Sequence, residues 1–250
     1  EIQYHKQLPF VVYNKPNTEE VFGMFQENAE LHLLTNRFDR PGFVFAPFDA
    51  KEKTVLIPLD SSELLCDQMC ASRELDDAHH FSSDTVSKSI HIDLVKKGVA
   101  AINEDQFKKV VLSRKLGVEI AQIDIIKTYT RLLHAYPNAF VYVWFHPKVG
   151  LWFGATPETL LQLKENQFTT MSLAGTQVYN KHVAPAWSQK EIDEQEFVTN
   201  YIINKLSTFS KALGVSKTTT VRAGFLVHLR TVIKGTLDTV KENALFSLVA

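Results

Sequence analysis

The apolar positions of the chain change period several times, and each change marks an element. Residues 10–13, 43–47 and 54–57 are short apolar runs that read as strands, the last stopped by Pro58. Across 84–101, Val86, Ile90, Leu94, Val95 and Val99 return at helical spacing. A second helical pattern over 123–135 runs into Tyr136, Pro137 and Asn138, which stop it. The run AFVYVWF at 139–145 and a strand at 151–154 flank HPKVG, a hairpin connection. A further strand at 168–173 leads into Ala174, Gly175 and Thr176, a long helix is predicted over 188–213, and 218–224 returns as a strand. SSELLCDQMC at 61–70 has amphipathic helical spacing, and the last ten residues, KENALFSLVA, open another helix on Ala244, Leu245, Leu248 and Val249. Hairpins interleaved with helices predict an α+β fold with largely antiparallel sheets.

One predicted strand carries charge at its head. In FKKVVLSRKL, 107–116, Val110, Val111 and Leu112 read as a buried strand, and Lys108 and Lys109 stand just before it. Neighbours in a strand point to opposite faces, so one lysine reaches water and the other points the way the core does.

Composition narrows the classes. With 250 residues, 45% hydrophobic and 22% charged, the chain can bury one sizeable core or two lobes sharing one. A net charge of −1 gives no nucleic-acid footprint and no membrane-surface patch, so an anionic ligand must be held by a local pocket. No apolar run approaches the ~20 residues of a spanning helix, and EIQYHKQLPF lacks the basic-then-apolar profile of a signal peptide. The expectation is a cytoplasmic protein with neither nucleic-acid nor membrane partners. Cys66 and Cys70, with His79 and His80 nearby, suit two reduced thiols better than structural zinc, which prefers tighter paired spacings.

Three further stretches hold candidate chemistry. In LWFGATPETL, a glycine and a proline break the strand and Glu158 follows. Such a carboxylate serves either a reaction or a helix start, for which Pro157 is apt. In MSLAGTQVY, Gly175 lets a ligand approach the backbone and Thr176 adds a hydroxyl and an N–H, an anchor for a carboxylate or a plain turn. In WSQKEIDEQEFVTNYIINKL, Glu191, Glu194 and Val198 share one helical face that continues through Tyr201, Ile202, Leu206 and Phe209. Carboxylates on a buried face need a partner, and a hard divalent cation is one; the alternative is acidic residues favouring the helix N-terminus.

KVVLSR, FGATPETLL, SLAGT, KEIDEQEFV and AGFLVHLRTVIKG, in this order, resemble the chorismate-utilising enzymes, and among them isochorismate synthase. The resemblance runs over 107–250. It implies a two-layer β core flanked by helices, forming one chorismate-binding domain over 1–250, with 1–100 as N-terminal lobe and 101–250 carrying the motifs. It implies Lys109 as the base that activates water and Glu158 as the general acid, which requires a neutral lysine and a protonated glutamate in different surroundings. It further implies Ala174, Gly175, Thr176 and His228 along the substrate, and Mg²⁺ held by Glu194 with Glu191 alongside or acting through water. His228 is equally readable as a packed structural histidine. The partner expected is chorismate alone, bound by a monomer without an amidotransferase subunit.

The family's pattern continues beyond what this sequence contains. An HPTPA-like motif, a glycine-rich carboxylate-binding segment and a further glutamate pair are absent, so the chain is expected to be C-terminally truncated and, by itself, inactive. The stretch between Thr176 and Lys190 is also several residues shorter than the resemblance leads one to expect. Salicylate synthase and anthranilate-type enzymes are the neighbouring readings, and a non-catalytic binding module is the reading of another class.

Overall fold

A computed structural model describes residues 1–34, 40–49, 51–69, 85–120, 122–210 and 212–237 of the chain. Cys70, His79, His80 and the predicted terminal helix lie outside the described residues. The chain divides into two compact units, one formed by Glu1–Ser72 with Asp124–Ala250, the other by Arg73–Ile123.

The larger unit is α+β, and every strand pairing among its described residues is antiparallel. After a short helix α1 (Ile2–His5) come β1 (Phe10–Asn14), β2 (Glu20–Gln26), β3 (His32–Leu33), β4 (Gly42–Phe45), β5 (Val55–Pro58) and β6 (Ser62–Gln68). β7 (Phe140–His146) and β8 (Gly150–Thr156) complete a five-stranded sheet in the order β6-β2-β1-β7-β8. Its central strands explain the unbroken apolar run AFVYVWF, because both faces of β7 are covered. Trp144, Val11 and Met24 meet Val55 and Ile57 of the small β3-β5-β4 sheet, with Phe45 stacked on Trp144 at 4.3 Å between ring centroids. On the opposite face Val143 lies beside Ile125 and Tyr129 of the helix that precedes β7.

The remaining strands of this unit, β9 (Gln162–Lys164), β10 (Gln167–Val178), β11 (Leu213–Val215), β12 (Thr219–Ala223) and β13 (Leu226–Thr236), form the second large sheet. It runs β11-β13-β10-β9, with β12 also paired to β13. Two helices flank the strands, labelled here α3 (Ile125–Ala135) and α4 (Gln189–Leu206) to follow α2 of the smaller unit in chain order. Asp124 caps α3 by accepting from the Lys127 N–H at 2.8 Å. α4 packs on β10 and β13, where Leu206 joins Phe168, Ile233 and Leu237 in a buried cluster.

The smaller unit holds α2 (Thr85–Asn103), followed by an extended stretch at 107–120. The predicted strand at 107–116 does not form: among the described residues it has no ladder partner, and Val111 is 81% exposed. The stretch lies against α2 instead. A side chain at Gly98 would stand 3.1 Å from Leu112 Cδ1 and 3.3 Å from Val110 Cγ1, so the glycine makes room for the approach.

Two other expectations are corrected. SSELLCDQ forms the edge strand β6 rather than a helix, paired with β2 from Glu20↔Gln68 to Gln26↔Ser62. α4 stops at Leu206 rather than 213, because Ser207 and Thr208 turn their hydroxyls onto the Ile203 and Lys205 carbonyls and Leu213–Val215 joins the edge of β13. None of the described helices is long and apolar enough to cross a membrane.

Candidate active site

The functional candidates of the second sheet gather at one irregularity. Along β10, Phe168, Thr170, Ser172 and Ala174 alternate onto the buried side under α4. The register with β13 then slips between Ala174 and Thr176, and Gly175 takes φ +71, a left-handed conformation that favours glycine. The extra residue reverses the alternation. Thr176 therefore stands with its register partner His228, 3.1 Å between Oγ1 and Nδ1, while Gln177 turns to the α4 side.

His228 Nδ1 also lies 3.2 Å from the Gly175 carbonyl oxygen. A carbonyl can only accept, so Nδ1 is the protonated nitrogen of that bond, and a neutral ring keeps its lone pair on Nε2. The histidine is thus held to the bulge through Nδ1.

On the other side of the bulge, the Gln177 amide donates to both oxygens of Glu191 at 3.1 Å and to the Ala186 carbonyl at 2.8 Å. Glu191 also accepts from the Ser188 N–H at 2.8 Å, closing the first turn of α4 as a capping box. These donors, the Ser188 N–H first and Gln177 second, hold its carboxyl below the usual glutamate range. Glu194, one turn further along the helix, is half-buried. Two such carboxylates are hard oxygen donors of the kind Mg²⁺ takes, so this pair fits part of a cation site. Among the described residues no group of three His, Cys, Asp or Glu side chains converges.

The buried stripe of α4 is not the one its apolar residues suggest. Tyr201 is 64% exposed, and the most buried residue of the helix is Gln195, ahead of Leu206. Its amide reaches Ser172 Oγ at 2.9 Å, Thr199 Oγ1 at 2.9 Å and Thr231 Oγ1 at 2.7 Å, while Thr231 is bonded to Thr218. This polar seam clamps α4 to β10 and β13. Gln177 and Gln195 were missed from sequence, since a polar residue on a helix or strand reads as solvent-facing until its partners are known.

Glu158 lies on the exposed loop after β8, not at a helix start, and its N–H is 3.4 Å from Thr156 Oγ1. It borders a cavity of about 440 Å³ lined also by Leu160, Thr170, Tyr201, Ile202 and Lys205. Ala174, Gly175, Thr176 and His228 are not in that lining. Lys109 belongs to the smaller unit, where it is half-buried, whereas the neighbouring Lys108 is exposed and paired with Asp105. The structure therefore joins Ala174, Gly175, Thr176, His228 and Glu191 in one region of the larger unit, with Glu158 at the rim of another cavity of that unit.

Residues 49–250 match the sequence model of the chorismate binding enzyme family. The chain belongs to that family. The solved structures it resembles are consistent with the fold of a chorismate-binding enzyme. A protein of Bacillus anthracis, DhbC, assigned as a 2,3-dihydroxybenzoate-specific isochorismate synthase, superimposes with a TM-score of 0.73 at 19% identity, covering 93% of this chain and 69% of that one. MenF, the menaquinone-specific isochorismate synthase of Escherichia coli, gives a TM-score of 0.57 at 14% identity over 92% of this chain and 65% of that one. The chain thus spans about two thirds of the length of either structure. No curated protein sequence matches it significantly.

Proposed function

We propose that the full-length protein interconverts chorismate and isochorismate. The observation that carries this reading is the meeting of Gly175, Thr176 and His228 at one bulge with Glu191 tied to the same strand through Gln177. It sets groups suited to a carboxylate beside groups suited to a cation. The family match and the isochorismate synthase folds support it from outside.

In this reading water adds at C2 of the ring while the C4 hydroxyl departs and the double bonds between them shift, so one water enters and one leaves. Lys109, neutral, takes the proton of the entering water, and Glu158, protonated, supplies one to the departing hydroxide. Ala174, Gly175 and Thr176 line the ring carboxylate, and His228 accepts from a ligand hydroxyl through Nε2. Glu194, with Glu191 through water, would hold Mg²⁺, which when bound offsets the charge of the ring carboxylate.

Product analysis after incubation of the full-length protein with chorismate and Mg²⁺ tests the reading. Isochorismate is the expected product. Salicylate with pyruvate would make the protein a lyase, anthranilate formed with ammonia would make it an aminating enzyme, and unchanged chorismate would overturn catalysis altogether. Lys109→Ala should abolish turnover while Lys108→Ala, whose ammonium is engaged with Asp105, stays near wild type. Equal loss in both would remove Lys109 from its role.

A further inference from the structure

Three segments remote along the chain meet at a small cavity of the larger unit that none of the candidate site residues lines. Its volume is about 240 Å³, and its wall includes His134 at the end of α3, Tyr136 and Asn138 of the turn that follows, Pro157 after β8, and Arg222 and Gly224 where β12 turns into β13. Gly224 makes the meeting possible. It takes φ +60, and a Cβ there would stand 2.5 Å from Tyr136 Cε1, so a glycine is needed for the tyrosine ring to close against the turn.

Arg222 is held at this cavity by contacts that leave its two terminal nitrogens unused. Its Nε donates to the Gly224 carbonyl at 2.8 Å, its guanidinium lies over the Tyr179 ring at 3.9 Å, and among the described residues it makes no ion pair. The fork is therefore oriented before an anion arrives, and because Arg222 is exposed its charge stays hydrated until then. His134 adds a complementary atom. Its Nδ1 lies 2.8 Å from the Thr130 carbonyl oxygen, which can only accept, so Nδ1 carries a proton and the neutral ring keeps its lone pair on Nε2. No Asp or Glu stands among the described residues that line the cavity. We propose that this cavity binds a phosphate group, inorganic or on a small monoester, with Arg222 Nη1 and Nη2 donating to its oxygens and His134 Nε2 facing another. A carboxylate only accepts, which serves the arginine but not a neutral imidazole. A phosphate monoanion offers acceptor oxygens to the one and a P–OH to the other, and its dianion suits a protonated ring. The volume, below the roughly 300–1,000 Å³ of sites for drug-sized ligands, restricts the ligand to a compact one. The inference stands without the chorismate reading.

The test is calorimetric titration of the full-length protein, in chloride buffer, with inorganic phosphate and separately with glycerol 3-phosphate. Saturable binding is expected, and the tighter of the two probes tells the free ion from the ester as the source of the group. Arg222→Met should weaken that binding roughly 10- to 100-fold, as for a lost charge-assisted bond. Arg222→Lys, which keeps the charge but not the fork, should bind with intermediate affinity. Lys164→Met removes a charge from exposed β9, outside the cavity, and should leave binding unchanged. Equal weakening by Lys164→Met would mark diffuse attraction rather than a site and overturn the inference, as would a wild-type protein that binds neither probe. Displacement of phosphate by chorismate would make the cavity part of the substrate site and overturn it too.

Discussion

Gly175 is the residue on which the candidate site turns. Its φ of +71 costs an L side chain about 1–2 kcal/mol, and a Cβ there would stand 3.4 Å from both the Glu191 carbonyl oxygen and Leu229 Cδ1. Gly175→Ala should therefore lower unfolding stability by about that amount in urea, and no loss would mean the bulge relaxes freely. At Glu158 the expectation is chemical. Glu158→Gln keeps shape but carries no acidic proton, so turnover should fall by roughly 10² to 10⁴ with KM little changed. A variant with wild-type kcat would return Glu158 to an ordinary loop carboxylate. At this scale the sequence was informative where a residue acts through its own chemistry. Glycine before threonine, paired glutamates and a histidine in a strand were all legible. Gln177 and Gln195 were not, because each is defined by its partners: Gln195 is satisfied by Ser172 and Thr231, remote along the chain.

At the scale of elements, α4 is held by its polar seam. Replacing Gln195 with leucine keeps the volume roughly but removes the amide donor shared by the hydroxyls of Ser172, Thr199 and Thr231, leaving them only their bonds to one another, to Thr218 and to the backbone, which should cost about 1–3 kcal/mol in chemical denaturation. The hairpin of β7 and β8 predicts a pH dependence. His146 is fully buried, accepts the Lys148 N–H at Nδ1 from 3.1 Å, and lies 3.4 Å from the Glu30 carbonyl oxygen. Burial, above all, pushes its pKa below the ordinary value of 6.5. A histidine depressed in the folded state binds fewer protons than the unfolded chain does. Its stabilising effect is thus complete above about pH 6.5 and is lost as pH falls towards the folded value. The thermal midpoint should drop as pH falls below about 6.5, and His146→Gln should flatten that slope; an unchanged slope would acquit the residue. Helices α2 and α3 and the β7–β8 hairpin followed from period and punctuation. β6 did not, since its seven residues are half-buried or exposed and alternate no burial, and only its pairing with β2 makes it a strand.

For the whole molecule, the chemistry expected of the family asks for a cation as well as a base and an acid. Excess chelator should abolish chorismate turnover by the full-length protein, and Glu194→Ala should weaken Mg²⁺ binding in calorimetry. Full activity in chelator would remove the cation from the scheme. What the sequence by itself determined is the fold class, the antiparallel character of the sheets and the family, because these rest on periodicity, turn residues and an ordered set of short motifs that need no long-range information. What only the tertiary structure decided is which residues meet. The bulge at Gly175 reverses the facing of everything after it in β10, so Thr176 joins His228 and Gln177 joins Glu191. No local pattern reports that reversal, since it depends on how β10 registers against a strand some fifty residues away. The 107–116 run makes the same point in the other direction: its composition is that of a buried strand, but a strand needs a neighbouring edge to bond to, and it finds the side of α2 at Gly98 instead.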